Sequence, residues 1–98
     1  MKSFDILTDR QLDEEMIIQV KSVCLSHPKV LGVHDLRTRS AGLHHFIQMH
    51  LDLDGKLSLL EAHTIATDVM KKIKELIPQA EVIIHQDPYG HDEEDFHP

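Results

Sequence analysis

Glu81-Val82-Ile83-Ile84-His85-Gln86-Asp87-Pro88 is an apolar run too short for a helix and closed by a proline, and it reads as a β-strand. Alternate side chains of a strand share a face, so His85 and Asp87 project together while Gln86 projects to the other side. A histidine and a carboxylate side by side on a rigid element supply half of a coordination site for a borderline divalent cation. The rest of the chain can be read for the other half.

Upstream of this strand, Pro78 stops a helix that starts after the Asp54-Gly55 turn. Ser58 and Glu61 have the spacing of a capping box, and Ala62, Ile65, Ala66, Val69, Ile73 and Leu76 recur at helical spacing as its core stripe. His63 stands at the edge of that stripe, close to the helix N-terminus. Further upstream, Val30 to Arg39 and Leu43 to Leu53 flank Ser40-Ala41-Gly42 and predict a hairpin. With Gly42 near its centre, the expected cross-strand pairs are Thr38 with Phe46, Leu36 with Gln48, and His34 with His50. Directly opposed side chains have Cβ atoms roughly 4.5–5.5 Å apart, close enough for two imidazoles to ligate one ion or two adjacent ones. A slip of one residue would part them.

The second strand sorts its residues by face. His45, Ile47, Met49, Leu51 and Leu53 make one mostly apolar face for helices to cover, and His44, Phe46, Gln48, His50 and Asp52 make the other. A first helix is predicted from Leu12 to about Cys24, with Leu12, Met16, Val20, Val23 and Cys24 inward and Asp13, Glu14 and Glu15 in its first turn. Pro28 ends it, which makes His27 a helix-end residue rather than a ligand. The order is α-β-β-α-β, an α+β two-layer sandwich with helices on one face of a small sheet. The opposite face, with Phe46 and Gln48, is left uncovered in a monomer, and a homodimer is the simplest cover.

Composition narrows the class. The 98 residues form one domain, with a core that must be aliphatic, since aromatic content is 4% without Trp. A net charge of -7 argues against nucleic acid or an anionic membrane as partner and suits a cation. Cys24 is the single cysteine, so no intrachain disulfide forms, which fits a reducing compartment. No run is long enough to span a bilayer, and residues 1–5 lack a signal peptide's apolar core, so direct membrane insertion is not expected. The expected division is a lead-in over 1–11, the folded domain over 12–88, and an acidic, histidine-bearing loose tail over 89–98.

Nine histidines in 98 residues matter if they converge. Four chemistries fit parts of this pattern. The first gathers His34, His50, His63, His85 and Asp87 as three to five ligands for Zn²⁺ or a similar cation. Five ligands exceed one tetrahedron, so two ions bridged by Asp87 fit the count; the bland account makes some of these satisfied polar groups at strand ends. The second is a calcium loop, in which His50, Asp52, Asp54, Gly55 and Glu61 take positions 1, 3, 5, 6 and 12. It needs an entering helix where the residues alternate as a strand. The third is a dinuclear hydrolase; no nucleophile–base order or phosphate loop accompanies the histidines, and neither Cys24 nor Tyr89 has an evident base beside it. The fourth is metal capture by the tail residues His91, Asp92, Glu93, Glu94, Asp95 and His97, against plain solvation of a loose end.

Four segments taken together carry a family resemblance: His34 to Arg39, Phe46 to Leu51, Glu61-Ala62-His63, and Ile83 to Pro88. In that order they resemble the C-terminal cytoplasmic domain of cation diffusion facilitator transporters, in particular the bacterial ferrous-iron/zinc efflux pumps. The resemblance implies a metallochaperone-like (ferredoxin-like) αββαβ fold that dimerises beneath a transmembrane domain of the same transporter at the inner membrane. It implies His34, His50, His63, His85 and a bridging Asp87 as ligands, with Gln86 near the partner's site and Asp35, Arg37 and Arg39 in polar contacts. Zn²⁺ is the expected ion, with up to two per protomer; Fe²⁺, Mn²⁺ and Cd²⁺ use the same donors. A stand-alone metal chaperone or buffer is the other reading of the same residues.

Overall fold

A computed structural model describes residues 11–90. The elements run α1 (Glu14–Ser26), β1 (Gly32–Ala41), β2 (His44–Leu53), α2 (Leu59–Leu76) and β3 (Ala80–Pro88), the predicted α-β-β-α-β order. The sheet order is β1-β2-β3. β1 and β2 are antiparallel, joined by a tight turn, while β3 lies parallel to β2. A parallel neighbour needs a long crossover, and α2 provides it. The lead-in over 1–11 and the tail over 89–98, with His91 and His97, lie almost wholly outside the described residues.

Both helices start where their side chains can satisfy free backbone N–H groups. Asp13 caps α1, its carboxylate accepting from Met16 N–H at 2.9 Å, so the helix begins two residues later than the apolar spacing suggests. Ser58 caps α2 in a full capping box: Glu61 N–H donates to Ser58 Oγ at 3.0 Å and Ser58 N–H to Glu61 Oε1 at 2.8 Å. Those two Ser58 groups hold the Glu61 carboxyl below its ordinary range. His27 ends α1 as expected: its ring accepts from Lys29 N–H at 3.1 Å and lies 3.3 Å from Asp68 on α2.

The core lies between the helices and one face of the sheet. Ile47, Met49, Leu51 and Leu53 of β2 pack with Val20 and Cys24 of α1 and with Ile65, Val69 and Ile73 of α2. This is the alternation read from the sequence, and burial of these aliphatic chains is the main stabilising term. Burial also pushes the Cys24 thiol up to about 11, so the lone cysteine is a packing residue.

The hairpin register corrects one expectation. The turn is a two-residue loop, Gly42-Leu43, closed by the pair Ala41↔His44, and Gly42 takes φ +64° at the first central position. That positive φ is what a type II′ hairpin asks of glycine. The tip pairs are therefore Thr38↔Ile47 and Arg37↔Gln48, one residue away from the expected Thr38–Phe46 and Leu36–Gln48. Yet His34↔His50 is paired as expected, because a β-bulge sets Asp35 and Leu36 against Met49 alone. Asp35 carries φ +54°, a left-handed conformation that aspartate tolerates better than most residues. The bulge also explains how His34 and Arg37, three apart in sequence, both lie on the outer face.

Candidate metal centre

Two adjacent rows cross the outer face of the sheet. The first is His34–His50–His85, one residue from each strand, and the second is Gly32–Asp52–Asp87. Residues two apart on a strand share a face, so the imidazole row and the carboxylate row lie side by side. Ring centroids are 5.0 Å apart for His34 and His50 and 4.5 Å for His50 and His85, with interplanar angles of 25° and 16°. Three stacked imidazoles thus border a pair of carboxylates at the end of the sheet away from the hairpin turn.

Asp87 joins the rows. Its Oδ2 lies 2.9 Å from His50 Nδ1 and 3.3 Å from His34 Nε2. Asp52 Oδ2 lies 3.2 Å from the other His34 nitrogen, Nδ1, and Asp35 Oδ2 lies 3.8 Å from His50 Nε2. Arg37 Nε donates to Asp35 Oδ1 at 3.1 Å and matches that charge, so with neutral imidazoles Asp52 and Asp87 leave the cluster formally negative, which favours a cation.

His34, His50 and Asp87 fit a metal ion on chemistry and spacing. Each offers one ligand atom, all within 4.8 Å of one another. A four-coordinate Zn²⁺ with bonds of about 2.0–2.1 Å holds neighbouring ligand atoms about 3.3 Å apart. The observed 2.9 and 3.3 Å contacts are of that size. Two nitrogens and a carboxylate oxygen are donors that Zn²⁺ shares with Fe²⁺, Mn²⁺ and Cd²⁺.

The other two expected ligands are placed differently. His85 is in the row, stacked on His50, but outside the group of three. His63 stands exposed on α2, 3.5 Å from Thr67 Oγ1, in a groove it shares with Leu59, Leu60 and Gln86. Gln86 faces away from His85 and Asp87, as alternation requires. The described residues of one protomer therefore bring three of the five expected ligands together, with a fourth beside them, and leave His63 apart. Phe46 and Gln48, the expected interface residues, line an outer-face groove with Arg37, Arg39, Glu81 and Ile83. Arg39 stacks its guanidinium 4.5 Å from the Phe46 ring centroid.

The calcium-loop alternative is overturned. His50 and Asp52 lie in a strand where that motif needs a helix, Asp54 accepts from Lys56 N–H at 2.9 Å in a local turn, and Glu61 belongs to the α2 cap. Two participants escape the ligand reading of the sequence. Asp52 shares the parity of His50, which was a usable signal. Asp35 comes near His50 only through the bulge, and its one signal is a mismatch: a turn at Gly42-Leu43 and a His34–His50 pair cannot both hold in an unbroken ladder.

Comparison with known proteins agrees with this architecture. Residues 12–89 match the family described as cation efflux protein, cytoplasmic domain. The chain belongs to that family, one of transporters rather than enzymes. It is 52% identical over 87 residues to the cation-efflux pump FieF of Shewanella oneidensis, covering 89% of this chain and 29% of the pump. It is 41% identical over 92 residues to protein p34 of Rickettsia prowazekii, covering 94% of this chain and 31% of that protein. The chain thus spans less than a third of these relatives. Among solved structures, the Zn form of the putative zinc transporter CzrB superposes with a TM-score of 0.77 at 27% identity, covering 88% of this chain and 99% of that one. The metal-bound C-terminal domain of the CzcD transporter from Thermotoga maritima gives 0.76 at 29% identity, covering 84% and 100%.

Proposed function

We propose that residues 12–88 are the zinc-sensing, dimerising regulatory domain of a divalent-cation efflux transporter, a cation/proton antiporter of the inner membrane. The observation that carries this reading is the convergence of His34, His50 and Asp87 at ligand spacing, in a cluster with two further carboxylates. The relatives' greater length supports a transmembrane domain on the same polypeptide. The Zn form of CzrB and the metal-bound CzcD domain support a metal on this fold.

In this reading His34, His50 and Asp87 hold one Zn²⁺. Asp87 bridges to a second ion served by His85 and by His63, which is reached around the open edge of β3 beside Gln86. The imidazoles bind through ring lone pairs and the carboxylates cancel the ion's charge. The partner protomer covers the outer face at Phe46, Gln48 and Ile83, the last 56% exposed here despite its apolar side chain. Bound metal relieves repulsion between Asp52 and Asp87 and so tightens the pair. If the tight pair is the transport-competent state, cytosolic metal raises export by its differential affinity for that state.

Elemental analysis with sedimentation velocity, with and without chelator, tests this. The expected result is at least one zinc per chain, and a dimer whose dissociation constant rises on stripping. Zinc-free protein after incubation with excess Zn²⁺, or a dimer indifferent to chelator, would overturn the proposal.

A further inference from the structure

His34 has a carboxylate against each of its ring nitrogens: Asp52 Oδ2 at 3.2 Å from Nδ1, and Asp87 Oδ2 at 3.3 Å from Nε2. A neutral imidazole carries one N–H and one lone pair, and an ionised carboxylate can only accept. One of the two contacts is therefore a hydrogen bond. At the other, a lone pair faces a carboxylate oxygen, an arrangement that a cation between them makes favourable.

The surroundings decide which contact is which. Asp87 Oδ2 is shared with His50 Nδ1, so an ion on that side of His34 meets three donors at once. Asp52 has His34 as its one side-chain partner among the described residues. Its backbone is fixed independently, because Leu31 N–H donates to Asp52 O at 2.8 Å. The carboxylate is thus held in place from the main chain and aimed at one nitrogen of one ligand.

We propose that Asp52 is a positioning residue of the metal centre. Its carboxylate accepts the Nδ1–H of His34, fixes that tautomer, and turns Nε2 with its free lone pair toward Asp87. A carboxylate behind a ligating histidine restricts ring rotation and raises the basicity of the metal-bound nitrogen, and losing such a partner costs about 10–100-fold in metal affinity. Gly32 belongs to the same device. It pairs with Asp52 across the hairpin, and a Cβ built on it would lie 2.8 Å from Asp52 Oδ2. Only a residue without a side chain leaves the carboxylate its position over β1. Since that oxygen ends a flexible side chain, Gly32→Ala should keep the strand and displace the carboxylate.

This inference rests on the metal reading of the cluster, and its test separates the two. Nitrogen-15 NMR of histidine side chains in metal-free protein at about pH 8, where an ordinary imidazole is neutral, reports the tautomer. Zinc calorimetry reports affinity and stoichiometry. In the native chain His34 should be the Nδ1–H tautomer; in Asp52→Ala and in Gly32→Ala it should shift toward Nε2–H. Each variant should bind zinc about 10–100-fold more weakly at unchanged stoichiometry. The double variant should be no weaker than Asp52→Ala alone, because both changes remove one contact. Native protein that binds no zinc would defeat the metal reading. Native protein that binds zinc would overturn the positioning role alone if Asp52→Ala left tautomer or affinity unchanged. It would do the same if that variant lost one bound ion, since Asp52 would then be a ligand, or if the two losses added.

Discussion

The two halves of the β1–β2 hairpin are built from the same pair of strands and present different chemistry. Toward the turn, the outer face shows Arg37, Arg39, Phe46 and Gln48, with Glu81 and Ile83 beside them on β3. Toward the other end it shows His34, His50 and His85 over Asp52 and Asp87. The boundary is the bulge at Asp35, which offsets the ladder by one residue and exchanges the parity of β1. A regular ladder could place either Arg37 and Arg39 or His34 on the outer face, but not all three. One extra residue lets a single short strand serve a contact surface and a ligand cluster.

Damage to one half of the hairpin should leave the other half's function intact. His34→Ala should weaken zinc binding by more than roughly 100-fold, beyond the loss of an outer partner, and Phe46→Ala combined with Ile83→Ala should leave it unchanged in calorimetry. Conversely, Phe46→Ala with Ile83→Ala should weaken self-association by at least roughly 10–100-fold, the equivalent of a single large apolar side chain at about 1.5–3 kcal/mol. Sedimentation of the zinc-loaded protein checks it. If the pair changed zinc affinity as much as His34→Ala does, the halves would not be separable.

The boundary itself gives a smaller effect. Asp35→Val puts a β-branched residue at φ +54° and should cost about 1–2 kcal/mol in thermal unfolding of the metal-free chain, whereas Asp35→Gly should not destabilise through the backbone. Equal melting temperatures for the two variants would show that the left-handed residue is not needed to place His34.

The smallest effect is away from the sheet and serves as a control. Ser58→Ala should cost about 1 kcal/mol through the α2 cap without touching zinc affinity. The reciprocal bond from Ser58 lowers the Glu61 carboxyl, so its contribution is present above the ordinary value of 4.5 and is lost as pH falls through the lower folded value. Acid titration should therefore show the native chain losing its advantage over Glu61→Gln at low pH, while the Ser58→Ala difference persists.

Much of this arrangement is legible in the residues. Alternation in β2 identifies both faces, Ser58 and Glu61 announce α2, and the short run from Glu81 to Asp87 places His85 beside Asp87. The parallel pairing that sets His85 beside His50 and Asp87 beside Asp52 follows from where α2 returns the chain, a tertiary fact with no local signal. The bulge escapes alternation because a period-2 pattern assumes one residue per step. His63 shows the opposite limit. Its position near the helix start is right, yet α2 covers the inner face, so His63 lies apart from the three residues that converge on the outer face.

His50 and Asp87, brought together from the middle strand and an edge strand, are the pair on which the proposed divalent-ion site depends. Calorimetric titration of the chelator-stripped domain with Zn²⁺, native against His50→Ala/Asp87→Ala, tests it most directly. The expected result is saturable binding with at least one zinc per chain in the native domain, and loss of that binding in a double variant that retains the native circular dichroism spectrum. Unchanged stoichiometry and affinity in the folded double variant would contradict it.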